Sequence, residues 1–246
     1  MIPLSLGLNN LNGLWQSIAF YDIDQDGDRD VLLGNWGKNS KFKASSKYPM
    51  KLYFSDLDNN GQTDPLVAIE KQGVYYPIHG LDELSGQLVS LRKKFTTYGS
   101  FAGKTMEEIF TKEKLAEAEI LEVNELQSGY LLNEEGNYRF IPFTPLLQQS
   151  PLTDFLVHDF DGDGKTEALI GGNYFGVKPY HGRFDSFPGA LLLDQKNCIL
   201  GNELGLNFQQ KSIRNLDVIK LGEVTYLLAI MNNDYSQLYE ITTGSK

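Results

Sequence analysis

The sequence predicts an all-β fold made of repeated short strands and interrupted once by a small helical segment. Three observations carry that expectation. An acidic nine-residue loop occurs three times, and each copy is flanked by short runs of β-branched and aromatic residues. The runs that follow the loops resemble one another, as DVLLGNWG, EALIGGNYFG and, near the end, TYLLAIMNNDYSQLYEI. Between the second and third loops, residues of about 80–118 change to helical spacing.

The first loop, DIDQDGDRD at 22–30, packs five aspartates into nine positions. The second, DLDNNGQTD, occupies 56–64, and the third, DFDGDGKTE, occupies 159–167. All three place oxygen side chains at positions 1, 3 and 5, Gly at 6 and a carboxylate at 9. Hard cations such as calcium take six to eight oxygen ligands, and alternate residues of a tight loop can converge on one. Gly27, Gly61 and Gly164 are expected to make the sharp turn with positive φ. Position 7, which is Asp28, Gln62 or Lys165, varies freely in side chain, as suits a backbone carbonyl ligand. No Cys or His lies in any loop, which argues against zinc. A metal-free acidic turn is the alternative.

The loops are not EF-hands. That motif needs a bidentate Glu at position 12 between helices. Position 12 here is Leu33, Val67 or Ile170, inside strand-like runs. The same missing acid disfavours dockerin-type modules and an intracellular calcium sensor.

The loops begin 34 and then 103 residues apart, so something is inserted. Leu81, Leu84, Leu88 and Leu91 share one helical face within 81–94. Met106, Ile109, Phe110 and Leu115 mark a second helix within 104–118. Strands then resume, with NEEGN at 133–137 as a hairpin turn. In the last repeat, DVIKLGEVT keeps a Gly but lacks the acidic ladder, so it is expected to bind no metal. Repeats of short strands at this spacing suggest β-propeller blades, about four at roughly 40–50 residues each. Residues 1–246 are thus read as a single region carrying one helical insertion, and as a piece of a longer propeller.

The chain of 246 residues has a net charge of −10, and twelve of its 32 acidic residues lie in the three loops. Nucleic acid and anionic membranes are unsuitable partners for that balance. Three divalent ions would reduce it to −4. No run of 18 apolar residues occurs, so no transmembrane helix is expected. The opening MIPLSLGLNNLNG lacks the basic and apolar regions of a secretory signal. Cys198 is the only cysteine, so no internal disulfide forms, and its strand-like setting suggests an inert thiol.

The pattern DxDxDGxxD between strands, followed by an apolar strand and a Gly-Asn-aromatic turn, resembles FG-GAP/VCBS repeats, the blades of integrin-α-like β-propellers. The runs from DVLLGNWG to DFDGDGKTEALIGGNYFG resemble the C-terminal part of long VCBS-repeat proteins of Bacteroidetes-type bacteria. The resemblance implies up to three calcium ions. Their side-chain ligands would be Asp22, Asp24, Asp26 and Asp30; Asp56, Asp58, Asn60 and Asp64; and Asp159, Asp161, Asp163 and Glu167. Asn60 and Glu167 depart from the usual Asp, and the literal Phe-Gly/Gly-Ala-Pro signature is not intact. The resemblance also implies an extracellular, cell-surface or periplasmic location, with the signal peptide upstream of this chain.

No GxSxG, HExxH, dinucleotide or phosphate-loop motif occurs. The expected role is therefore a binding or scaffold module for a protein or glycan ligand at the cell surface. A propeller-based polysaccharide lyase or hydrolase is the alternative. Outside the loops, residues 173–187 combine aromatics with polar groups. Tyr174, Phe175, Tyr180, His181, Arg183 and Asp185, beside Asn173 and Phe184, are candidates to stack on a sugar or anchor a protein. Packing between blades is the competing role for these rings.

Overall fold

A computed structural model describes residues 8 and 11–242. The described chain divides into two compact units: residues 13–41 with 126–242, and residues 42–125 with 11–12.

The first unit holds three antiparallel sheets among its described residues. Strands β1 (Ser17–Tyr21) and β2 (Asp30–Gly34) are joined by the first acidic loop. Strands β7 (Gly129–Glu134) and β8 (Asn137–Pro142) complete that sheet in the order β1-β2-β7-β8. The chain thus leaves the sheet after β2, builds the second unit, and returns to the same sheet. The next sheet runs in sequence order: β9 (Leu152–His158), β10 (Glu167–Gly172), β11 (Ala190–Leu192) and β12 (Cys198–Leu200). The third acidic loop joins β9 to β10. The last sheet has β13 (Ile213–Leu221), β14 (Val224–Met231) and β15 (Gln237–Glu240). Its first hairpin closes through a tight turn around Gly222, φ 64°, in place of an acidic loop.

Strands β10 and β11 at the centre of this sheet are buried on both faces, which is why ALIGG and ALL read as continuous runs without polar alternation. Ala168, Ile170, Ala190 and Leu192 pack with Leu32, Tyr130 and Phe187 in one core. Leu169 and Leu191 point the other way and pack with Phe208, Leu216 and Leu227 in a second. Full burial of a side chain such as Phe187 or Leu32 contributes about 1.5–3 kcal/mol. The first strands of the three sheets, β1, β9 and β13, run beside one another. Side chains bond across them: the Ser17 hydroxyl donates to the Leu152 carbonyl at 2.9 Å, and the Thr153 hydroxyl donates to Ile213 at 2.6 Å. Asp154 accepts the Leu216 N–H at 2.6 Å, and burial raises its pKa.

The Gly-Asn turn of the repeat has a packing origin. A Cβ on Gly34 would stand 2.2 Å from the Leu152 carbonyl oxygen, and one on Gly171 would stand 2.7 Å from Ile213 Cγ2. The Asn that follows is wholly buried in both copies. Asn35 Oδ1 accepts the N–H groups of Leu14 and Trp36. Asn173 Nδ2 donates to the carbonyls of Phe187 and Phe208, and its Oδ1 accepts the Phe187 N–H. A β-bulge at Gly171/Gly172 explains why EALIGGN is one residue longer than DVLLGN. The NEEGN hairpin turns through Glu135 and Gly136, both at positive φ. Cys198 is half-buried in β12, and burial raises its thiol pKa.

The second unit has its own sheet and core. Strands β3 (Met50–Ser55), β4 (Asp64–Lys71), β5 (Val74–Pro77) and β6 (Glu119–Val123) pair in the order β6-β3-β4-β5. The second acidic loop joins β3 to β4. Five short helices lie between β5 and β6: α1 (Leu81–Gln87), α2 (Leu91–Lys94), α3 (Tyr98–Phe101), α4 (Met106–Ile109) and α5 (Lys112–Glu117).

The two continuous helices read from the spacing are therefore broken. Leu88 leaves the helical region at φ −111°, ψ 86°, and Phe110 is extended at φ −118°, ψ 151°. Thr97 and Thr105 each start a new helix with a capping box, and Thr111 caps α5 by accepting the Lys114 N–H. The predicted apolar face survives the breaks. Leu84, Leu88, Leu91, Met106, Ile109, Phe110 and Leu115 share one core with Tyr53 and Leu66 of the sheet.

Candidate metal centres

Each acidic loop crosses between the first two strands of a hairpin, and all three fold alike. The position-9 carboxylate is buried and turns back onto the backbone N–H of position 2. Asp30 accepts from Ile23 at 2.9 Å, Asp64 from Leu57 at 3.0 Å and Glu167 from Phe160 at 2.9 Å. The position-1 carboxylate spans the turn. Both oxygens of Asp22 accept, from the N–H groups of Asp26 and Gly27. Asp56 does the same with Asn60 and Gly61, and Asp159 with Gly162 and Gly164. At position 5, Asp26, Asn60 and Asp163 each accept the N–H of position 7.

The turns need two left-handed residues. Gly27, Gly61 and Gly164 at position 6 have φ of 98°, 84° and 90°, as expected from the sequence. No atom lies within 4 Å of a Cβ built at these glycines, so backbone conformation and not crowding calls for Gly. Position 4 is also left-handed: Gln25 and Asn59 both at 61°, and Gly162 at 80°. Sequence reading missed this position. Asn and Gly there carry the signal, but Gln at the first copy conceals it.

The folded loops bring together positions 1, 3 and 9. Ligand atoms of Asp22, Asp24 and Asp30 lie within 4.8 Å of one another; those of Asp56, Asp58 and Asp64, and of Asp159, Asp161 and Glu167, do likewise. Two unit charges at that separation repel by about 1 kcal/mol in water, and by more where solvent is excluded. Burial pushes the carboxyls of Asp30 and Glu167 up. Desolvation, with Asp26 and Asp24 nearby, pushes Asp28 up as well. The Gly61 N–H holds Asp56 below the usual carboxylate range. Oδ1 of Asp28 and Oδ1 of Asp58 are shielded from solvent with no hydrogen-bond partner.

Converging carboxylates, among them Asp58 with its unpartnered Oδ1, suit a hard divalent cation, which would remove the repulsion between them. The residues present fit the group. Positions 1, 3 and 9 would hold the ion with carboxylates, and its charge would supply the attraction that the bare loop lacks. Leu33, Val67 and Ile170 at position 12 lie in β2, β4 and β10, away from any EF-hand geometry. His158 sits edge-on to Phe160 at 5.3 Å and is not one of the converging groups.

The loops are tied to their surroundings. In the second unit, Gln87 of α1 donates to Asp64, and the Lys114 ammonium donates to the Leu57 carbonyl. In the first unit, Lys165 of the third loop donates to Gln25 of the first at 2.8 Å, so these two loops are neighbours.

The stretch 173–187 lies at the other end of the same sheets, because it follows β10 as Trp36 follows β2. Tyr174 pairs with Phe184 in an isolated β-bridge. The Trp36 ring stands 5.3 Å from Tyr174 and 5.6 Å from Phe184. Asn173 and Phe184 are buried and serve packing. Tyr174, Phe175, His181 and Asp185 are half-buried, Arg183 is exposed, and Tyr180 falls in a 3-10 turn at Pro179–His181. Arg183 lies over the Phe175 ring at 4.4 Å and pairs with Asp185 at 3.2 Å. Arg214, which sequence reading did not select, lies over Tyr174 at 4.8 Å.

No helix among the described residues is long and apolar enough to cross a membrane. Comparison of the chain with family models, curated proteins and solved structures gives no match.

Proposed function

We propose that this chain is a calcium-stabilised β-propeller-type module of the FG-GAP/VCBS kind, acting outside the cytoplasm as a binding or scaffold unit. One observation carries the reading. Three hairpins, far apart in sequence, bring the carboxylates of positions 1, 3 and 9 to within 4.8 Å through the same hydrogen-bond scheme. Stacked antiparallel sheets with neighbouring first strands support the propeller part. The acidity has a structural purpose in this reading: calcium converts a repulsive knot into a cross-link between two strands.

Extracellular modules bind calcium with Kd of about 10⁻⁴–10⁻³ M. At about 1 mM free calcium each site then adds about 0.4–1.4 kcal/mol by mass action. Thermal melts in 1 mM calcium and in EGTA test the reading, with calorimetric titration for stoichiometry. Binding of two to three ions and a lower Tm in EGTA are expected. An unchanged melt and no heat of binding would refute it.

A further inference from the structure

We propose that the end of the first unit opposite its acidic loops binds an acidic glycan, through the carboxylate of a uronic acid residue, with Arg214 as the principal contact. This rests on the reading of the chain as a binding module and supplies the chemistry of its ligand. The first observation is the state of Arg214. It is half-buried at the start of β13, where the pairing register shifts between Ile213 and Asn215, leaving Arg214 in the bulge. Bulges re-aim side chains. Here the guanidinium lies over the Tyr174 ring at 4.8 Å. Among the described residues it has no carboxylate partner and donates no hydrogen bond, so its forked donors are open to a ligand.

The second observation is that the site is braced. Tyr174 is held by Trp36 on one side, by the bridge to Phe184, and by the bulge at Gly171/Gly172 that precedes it. The 171–184 segment and the distant Trp36 thus fix one ring beneath one guanidinium. A stacked guanidinium is planar and pre-organised, and it matches a carboxylate bidentately.

The third observation is charge segregation. The first and third loops carry nine acidic residues at one end of these sheets. At the other end, the neighbouring cations are already paired, Arg183 with Asp185 and Lys211 with Asp234, which leaves Arg214 as a cation without a carboxylate among the described residues. A chain of net charge −10 therefore offers one unpaired guanidinium beside aromatic rings at this place. Half-exposed Phe175 and Trp36 add apolar faces of the sort that sugar rings cover. An acidic peptide would share the carboxylate but has no need of flanking rings.

The test uses the full chain in 1 mM calcium and trigalacturonate as probe, read by calorimetry. Cellotriose and hexaglutamate serve as neutral and peptide comparisons. Trigalacturonate should bind, and Arg214→Ala should weaken it about ten- to a hundredfold, as loss of a charge-assisted bond implies. Arg214→Lys should not restore binding, because an ammonium gives no planar fork. Lys220→Ala, which removes one positive charge at the far end of β13, should leave affinity within about twofold. Melting curves of each variant exclude unfolding. Absence of binding, equal binding by Arg214→Ala, or tighter binding of hexaglutamate would overturn the proposal. The response of the melt to EGTA is read separately, so a chain that responds to calcium and ignores trigalacturonate refutes this inference alone.

Discussion

Asp30 and Asp24 belong to the same acidic ladder but should fail differently when truncated. Asp30 is fully buried; one oxygen accepts the Ile23 N–H at 2.9 Å and the other the Asn133 N–H at 2.8 Å. Asp30→Ala orphans two buried backbone donors at about 1–3 kcal/mol each, a total of about 2–6 kcal/mol, whether or not metal is present. Asp24 is exposed and accepts only the Asp26 N–H, at 3.3 Å. Asp24→Ala should therefore cost less than about 0.5 kcal/mol in EGTA. In 1 mM calcium it should lose one site's increment as well, about 0.4–1.4 kcal/mol. At about 2–4 °C per kcal/mol, Asp30→Ala should lower Tm by about 4–24 °C in either buffer. Asp24→Ala should lower it by about 1–6 °C, almost wholly in calcium. Differential scanning fluorimetry of both variants in both buffers makes the measurement. If Asp24→Ala were as damaging in EGTA as in calcium, or if it kept the full calcium response, the distinction between Asp30, which also braces the backbone, and Asp24, which serves the ion alone, would be wrong.

Three further predictions concern backbone and charge. Gly34→Ala should destabilise by about 2–4 kcal/mol, because its Cβ would stand 2.2 Å from a backbone carbonyl that cannot move aside; chemical denaturation would show it, and a neutral result would refute the close approach. Gln25→Gly should stabilise by about 0.5–1 kcal/mol by relieving a non-glycine residue at φ 61°, despite loss of the exposed bond to Lys165; a lower Tm would refute this. Glu108 is held down to about 2 by Lys104 first, then by the Thr105 N–H of the capping box. Its folded pKa lies below its unfolded value of about 4.3, so its contribution is present above that pH and is lost as pH falls toward about 2. An NMR titration of Glu108 with a midpoint near 4.3 would contradict the capping box, and Glu108→Gln should remove this acid-range dependence.

Much of the candidate metal site was legible in the chain because its ligands are local. Nine consecutive residues supply every converging carboxylate of a loop, so residue type and spacing determine which atoms meet. The Gly at position 6 could be read for the same reason, since its φ is a property of the turn. Position 4 could not, because Gln25 is a poor marker of a left-handed backbone and the fold imposes it. Apolar periodicity found the buried face of the helical segment but not its breaks. The capping Thr97, Thr105 and Thr111 end and restart helices by local hydrogen bonds that periodicity does not record.

What the sequence could not decide is non-local. The partners of Asn173, at Phe187 and Phe208, and the pairing of β2 with β7 across some 95 residues arise only when sheets stack. Arg214 reads as an ordinary strand residue until a bulge and the distant Tyr174 ring give it a position. The sequence by itself determined three acidic hairpin loops and the strands beside them, because hydrogen bonds within nine residues close each loop. Tertiary structure alone decided that one hairpin opens a sheet completed a hundred residues later, and that a guanidinium with no carboxylate partner among the described residues lies over the Tyr174 ring. Those outcomes depend on side chains meeting across sheets, where burial and close approach select partners that spacing along the chain does not encode.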